Sequence, residues 1–149
     1  MKALYALELA GGDADTHAYT LLEPELESDP ATLEFAKRLF YTTLDRIEEV
    51  DTLIDANTKN WDLRRIAPVD RALLRMAVTE LLSFEEIPPK VSINEALDIG
   101  KRYSTPSSST FLNGVLDAVL MQLEREGRLE KSGRGLVGIE DVRQRAGSS

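Results

Sequence analysis

Apolar residues recur every three or four positions along most of the chain, which is the spacing of amphipathic helices. The clearest run follows Pro30, a residue that suits the first turn of a helix. It consists of Phe40, Leu44, Ile47, Val50 and Ile54. The pattern predicts one long helix over residues 30–57. No segment alternates apolar and polar residues as a half-buried strand does, so the predicted fold class is all-α.

Other helices are predicted on both sides of this segment. One covers Met1–Leu9, and a short amphipathic piece follows over His17–Leu22. A helix that starts at Pro68 has Asp70 in its first turn, where an acid suits the helix dipole. Its apolar stripe is broad, as the central helix of a bundle requires, and contains Leu73, Leu74, Ala77, Leu81 and Leu82.

The last two predicted helices are separated from the central one by the sequence IPPK, residues 87–90, which we expect to be non-helical. Ser92 and Glu95 have the spacing of a capping box and predict a helix start, with an end near Tyr103. A final helix is expected from Ser109 to Glu126, followed by Gly127 as its terminator. Residues 1–127 are therefore predicted to form one domain, and the polar, Gly-rich residues 128–149 a flexible tail.

Composition excludes several classes of function. The chain has no cysteine and one histidine, His17, so neither a thiolate metal site nor a His-based catalytic triad can form. No catalytic residue, metal or cofactor is predicted, and no run of apolar residues is long enough to span a membrane. The absence of cysteine fits a cytoplasmic protein. A net charge of −8 is unfavourable for binding nucleic acid unaided, so any such role needs a local basic patch or a basic partner.

One segment, residues 101–119, does carry the chemistry of a nucleic-acid contact. Lys101 and Arg102 precede a Pro/Ser/Thr-rich bend, and the hydroxyls and helix-start amides of this bend can donate hydrogen bonds to a phosphate. Phe111 stands beside them, and an exposed aromatic there could stack on an unpaired base. Alternatively, Phe111 packs under the preceding helix, which the residues alone favour because most Phe side chains are buried.

Several motifs together resemble the NusB family of transcription antitermination factors. They are Lys2–Tyr5, Trp61–Arg75, Glu80–Leu82, Ile87–Tyr103 and Phe111–Asp117. The resemblance covers the chain up to Gly127 and implies two small helical bundles packed against each other. It also implies binding to the boxA element of nascent ribosomal RNA, together with NusE and within the RNA polymerase antitermination complex. No small-molecule substrate and no membrane partner are expected.

The resemblance assigns roles to individual residues. Phe111 matches the base-stacking phenylalanine of the family, so we expect it to be substantially exposed. Tyr5 and Asp70 match positions that face NusE, and we expect them to share a surface that lies away from Phe111 or only at its border. Trp61 and Arg75 are assigned to packing and internal bonding. The predicted RNA-binding residues are Lys2, Lys101, Arg102, Ser107, Ser108, Thr110, Phe111 and Asn113.

Two departures from the family pattern bear on RNA affinity. The chain lacks the arginine-rich stretch that usually precedes the first helix, and we expect the native chain to begin upstream of Met1. Thr110 stands where a lysine is common. An alternative hypothesis is therefore a NusB-like protein-interaction domain with weakened or lost RNA binding. An RNA methyltransferase carrying a NusB-like domain would need a cofactor domain with a Gly-rich loop, which this sequence does not show. Monomer and homodimer both remain open.

Overall fold

A computed structural model describes residues 1–26, 28–59, 66–103 and 105–147. Regular structure in these residues is helical, and they contain no β-strand, as the sequence predicts. A π-helical turn, Ala18–Leu22, and a 3₁₀ turn, Gly133–Leu136, supplement the α-helices. The α-helices are α1 (Lys2–Ala10), α2 (Ala14–His17), α3 (Glu23–Leu26), α4 (Pro30–Asp45), α5 (Ile47–Ala56), α6 (Pro68–Ser83), α7 (Pro89–Tyr103), α8 (Ser108–Arg125) and α9 (Ile139–Gly147).

Helix α6 is the centre of the fold, as its broad apolar stripe predicts. It packs against α1, α4 and α5 from the N-terminal part of the chain, and against α7 and α8 from the C-terminal part. Helix α9 packs on α8. Because α6 has neighbours on most of its circumference, its side chains are buried almost continuously from Ala72 to Leu82. Arg75 is tied internally, as expected: its Nε and Nη2 each donate to Asp51 at 2.9 Å. Trp61 lies outside the described residues.

The long helix predicted over residues 30–57 is interrupted at Arg46, so that prediction is wrong in one respect. Arg46 has φ −110° and ψ 19°, which ends α4 and starts α5. Its guanidinium donates to Glu49 at 2.6 Å and to the Ser83 hydroxyl at 2.5 Å. The hydrogen bond from Arg46 to Ser83 of α6 therefore accompanies an interruption of the helix that the apolar periodicity does not reveal.

The start of α7 also differs from the prediction. The helix begins at Pro89, so Pro89 and Lys90 are helical, although residues 87–90 were expected not to be. Proline fits this first position because its missing N–H is not needed there. Ser92 lies within the helix and is buried, so Ser92 and Glu95 do not form the capping box that their spacing suggested.

Residues 128–147 are ordered against the domain, in contrast to the flexible tail expected from their composition. Ile139 and Val142 of α9 are buried in the same core as α8. Upstream, the Ser132 amide donates to the Glu85 carbonyl at 3.0 Å. Gly135 packs so closely on the same loop that a Cβ there would collide with the Glu85 carbonyl oxygen. These contacts fix residues 128–138 against the loop between α6 and α7, and we call residues 128–138 the strap.

Lys131 of the strap completes the C-terminal end of α6. Its Nζ donates to the carbonyls of Glu80 at 3.1 Å and Phe84 at 2.8 Å, each of which also accepts one backbone N–H, from Phe84 and Ile87 respectively. Burial lowers the pKa of the Lys131 ammonium to about 8, and burial raises the pKa of the nearby Glu80 carboxyl to about 7. The strap thus supplies a positive charge where the dipole of α6 favours one.

Candidate nucleic-acid interface

Two exposed cations lie in the last turn of α7. Lys101 and Arg102 are both solvent-exposed at the carbonyl end of the helix, where cations are favourable. Lys101 Nζ is 3.9 Å from Asp98 Oδ1, and its side chain is 66% exposed. Such an exposed pair contributes little to stability, so Lys101 keeps its capacity to bind an anion. We call residues 101–103 and 105–113 the α7–α8 junction.

A group of hydroxyls surrounds the start of α8 in this junction. The Thr105 hydroxyl oxygen is 3.0 Å from that of Ser107 and 3.2 Å from that of Ser108. The Ser108 amide donates to the Thr105 carbonyl at 3.0 Å, which closes the bend. Both serines were among the predicted RNA-binding residues, whereas Thr105 was not, although its position beside Pro106 was an available signal. Hydroxyls and amides of this kind are common contacts to phosphate.

Asp70 ties the start of α6 to the start of α8. The Ser108 hydroxyl donates to Asp70 Oδ2 at 2.9 Å, and Asp70 is only 5% exposed. Its Oδ1 is buried without a hydrogen-bond partner in the described part of the chain. Asp70 was expected to lie on one surface with Tyr5, away from Phe111 or only at its border, but the structure differs because Asp70 is buried beside the α7–α8 junction. Tyr5 is half-buried on α1.

Phe111 is buried, and the prediction of substantial exposure is wrong. Its side chain is 8% exposed and belongs to the hydrophobic core. Val115 follows four residues later on the same face of α8, and it is fully buried. The helix therefore turns Phe111 inward, while the Phe111 amide donates to the Ser107 carbonyl at 3.3 Å. The ring supports the first turn of α8 from inside.

The other predicted RNA-binding residues divide by exposure. Ser108 is buried like Phe111. Six of the predicted residues are exposed: five of them belong to the α7–α8 junction, and the sixth, Lys2, lies at the start of α1, a helix that packs on α6. The exposed residues are Lys2, Lys101, Arg102, Ser107, Thr110 and Asn113. The five predicted residues of the junction thus offer two cations, two hydroxyls and one amide to solvent.

The described residues contain no group of three or more His, Asp or Glu side chains that could hold a metal ion. No helix among them is long and apolar enough to cross a membrane.

The model of the NusB family matches residues 1–121. The chain belongs to the NusB family. It is 54% identical over 149 residues to the transcription antitermination protein NusB of Salinibacter ruber, covering 100% of this chain and 93% of that protein. It is 39% identical over 145 residues to the NusB protein of Chloroherpeton thalassium, covering 97% of this chain and 69% of the relative.

Solved NusB structures share the fold. The structure of T. maritima NusB is 35% identical to this chain with a TM-score of 0.69, and the match covers 79% of this chain and 82% of that one. A complex of the antitermination factors NusB and NusE with double-stranded RNA contains a chain that is 28% identical, with a TM-score of 0.71 and coverage of 78% and 86%. The present chain is accordingly a transcription antitermination factor of the NusB type and not an enzyme.

Proposed function

We propose that this NusB chain binds the boxA element of nascent ribosomal RNA together with NusE, and so promotes processive transcription of ribosomal RNA operons. The protein would act in the cytoplasm within the RNA polymerase antitermination complex. A similar NusB chain has been crystallised with NusE and double-stranded RNA, which supports NusE and RNA as the two kinds of partner.

The observation that carries the proposal is the exposed chemistry of the α7–α8 junction. In a chain of net charge −8, two cations and several hydrogen-bonding groups are exposed there within residues 101–113. Phosphate contacts supply most of the affinity of such interfaces, and hydroxyl or amide groups add position. The contacts would come from Lys101, Arg102, Ser107, Thr110 and Asn113, with Lys2 as an outlying cation.

Buried residues would support this surface from inside. Ser108 and Phe111 fix the first turn of α8, and Asp70 holds Ser108 in place. Asp70 would therefore influence NusE binding through the positions of the two helix starts, whereas half-buried Tyr5 can contact the partner directly. The acidic charge of the chain favours binding to a basic ribosomal protein. The basic surface of that partner would then supply further positive charge to the RNA that both proteins bind.

A titration with single-stranded boxA RNA, with and without NusE, tests the proposal. Lys101→Gln and Arg102→Gln should each weaken binding and lower the slope of log K against log salt by about 1, as expected for a lost phosphate contact. Lys59→Gln removes the same charge at an exposed position after α5 and serves as the control. Slopes equal to that of the unmodified protein in both junction variants would contradict the assignment of the junction.

The alternative function is a NusB-like domain that binds its protein partner but has little affinity for RNA. The burial of Phe111 favours it, because a ring inside the core offers no face for a base. In that case the same titration would give NusE binding, but no RNA binding even with NusE present.

A further inference from the structure

A cleft of about 360 Å³ lies beside the α7–α8 junction, between α7, α8 and α9. Its volume is in the range of roughly 300–1,000 Å³ that small ligands occupy. Apolar side chains form part of its lining, among them Ile93, Leu120 and Val142. Val142 belongs to α9, beyond residue 121 where the family match ends. The cleft is therefore formed jointly by the family core and a segment outside it.

Polar groups from all three helices also line the cleft. Asn94 of α7 and Asn113 of α8 contribute two exposed carboxamides, and Asp141 of α9 contributes a carboxylate. Neither carboxamide side chain has a hydrogen bond within the described part of the chain, so both can bind a ligand. Lys90 adds an exposed cation.

The remaining charges of the cleft are already paired. Arg145 Nη2 donates to both oxygens of Asp117 at 2.6 Å, which joins α9 to α8. Together with Lys90 and Asp141, the four charged residues sum to zero. The cleft thus lacks the negative charge that the chain carries as a whole, and a phosphodiester can approach it.

We propose that this cleft binds one unpaired base of the RNA, specifically a base with an exocyclic amino group. The inference rests on the proposed RNA-binding function and extends it from the junction to α9. The apolar lining suits the face of a base, while the carboxamides can bind its edge by donating and accepting. Asp141 accepts only, which favours the amino groups of adenine, cytosine or guanine over uracil. Lys90 is available for the adjacent phosphate.

The test uses the full chain with NusE and a boxA RNA in which one nucleotide at a time is made abasic. At one position, loss of the base should weaken binding to the unmodified protein by roughly fivefold or more. At that position, Asn94→Ala and Asp141→Ala should bind the intact and the abasic RNA equally. Asp55→Ala, an exposed acid on α5, is the matched control and should keep the full difference. If both cleft variants keep it too, the inference is wrong.

A second measurement separates this inference from the proposed function. The side-chain amide signals of Asn94 and Asn113 in an NMR spectrum should shift with adenosine or cytidine monophosphate, and shift less with uridine monophosphate. If RNA binding fails but these shifts appear, the cleft stands as a nucleotide site and the boxA function falls. If RNA binds and the Asn94 signal moves with none of the three nucleotides, only the cleft is refuted.

Discussion

Replacing Phe111 by leucine and by alanine separates two roles for the ring at the start of α8. In the core role, the ring stabilises the fold and the RNA contacts only indirectly. In the stacking role, the aromatic face binds a base after leaving its buried position. Leucine keeps an apolar side chain in the core but has no aromatic face, whereas alanine removes both.

The burial of Phe111 sets the expected size of the effects. Because only 8% of the side chain is exposed, truncation to alanine removes nearly a full core phenylalanine. Such truncations cost about 3–5 kcal/mol of unfolding free energy, and we expect Phe111→Ala in that range. Phe111→Leu retains most of the apolar contact and should cost about 1–2 kcal/mol.

Urea denaturation measures the stability of both variants, and anisotropy with boxA RNA and NusE measures their affinity. We expect Phe111→Leu to bind RNA within about twofold of the unmodified protein, because the exposed groups of the junction stay in place. Base–aromatic stacking is worth about 1–3 kcal/mol, so its loss would exceed that difference clearly. A stable Phe111→Leu protein with a tenfold loss of affinity would refute the core role.

Three further predictions concern packing and charge. Gly135→Ala should lower the unfolding free energy, measured in urea, by about 1–3 kcal/mol because the added methyl group collides with backbone. Gly147→Ala, which has open space around the added methyl group, should change the same free energy by less than about 0.5 kcal/mol. Equal effects of the two substitutions would contradict the packing of the strap. Ser108→Ala removes the donor to the buried Asp70 carboxylate and should cost about 1.5–3 kcal/mol, so an unchanged urea midpoint would count against that bond. Burial raises the pKa of the Glu80 carboxyl from 4.5 to about 7, so ionisation penalises the folded state and stability should fall as pH rises through that window. Glu80→Gln should lose less stability over the same window, and parallel pH profiles would show that Glu80 does not titrate there.

Much of the fold follows from local pattern. The continuous apolar face of α6, with Pro68 and Asp70 at its start, predicts a central helix, and the structure confirms it. The interruption at Arg46 could not be predicted in this way, because the apolar spacing continues across it. Its hydrogen bond to Ser83 joins residues 37 positions apart, and periodicity contains no such information.

The candidate site was predictable in composition but not in exposure. The cations and hydroxyls of residues 101–113 are evident in the sequence. For Phe111, the general burial of Phe side chains favoured the core, whereas the family resemblance indicated an exposed ring. The structure agrees with the first interpretation.

Helix α9 was missed for a simple physical reason. Ile139 and Val142 are its main buried apolar residues, so its composition is that of a polar tail. A short helix on the outside of a bundle needs only this much apolar surface to pack.

The bond between Lys131 and the Phe84 carbonyl has a consequence for the order of events during translation. These residues are 47 positions apart, so the ribosome has made all of α7 and α8 before Lys131 exists. During that interval the Glu80 and Phe84 carbonyls have only their backbone donors, the amides of Phe84 and Ile87, and the Glu80 carboxyl lacks the neighbouring Lys131 ammonium. The C-terminal end of α6, the central helix of the fold, therefore gains its bonds to Lys131 only after most of the chain has been synthesised.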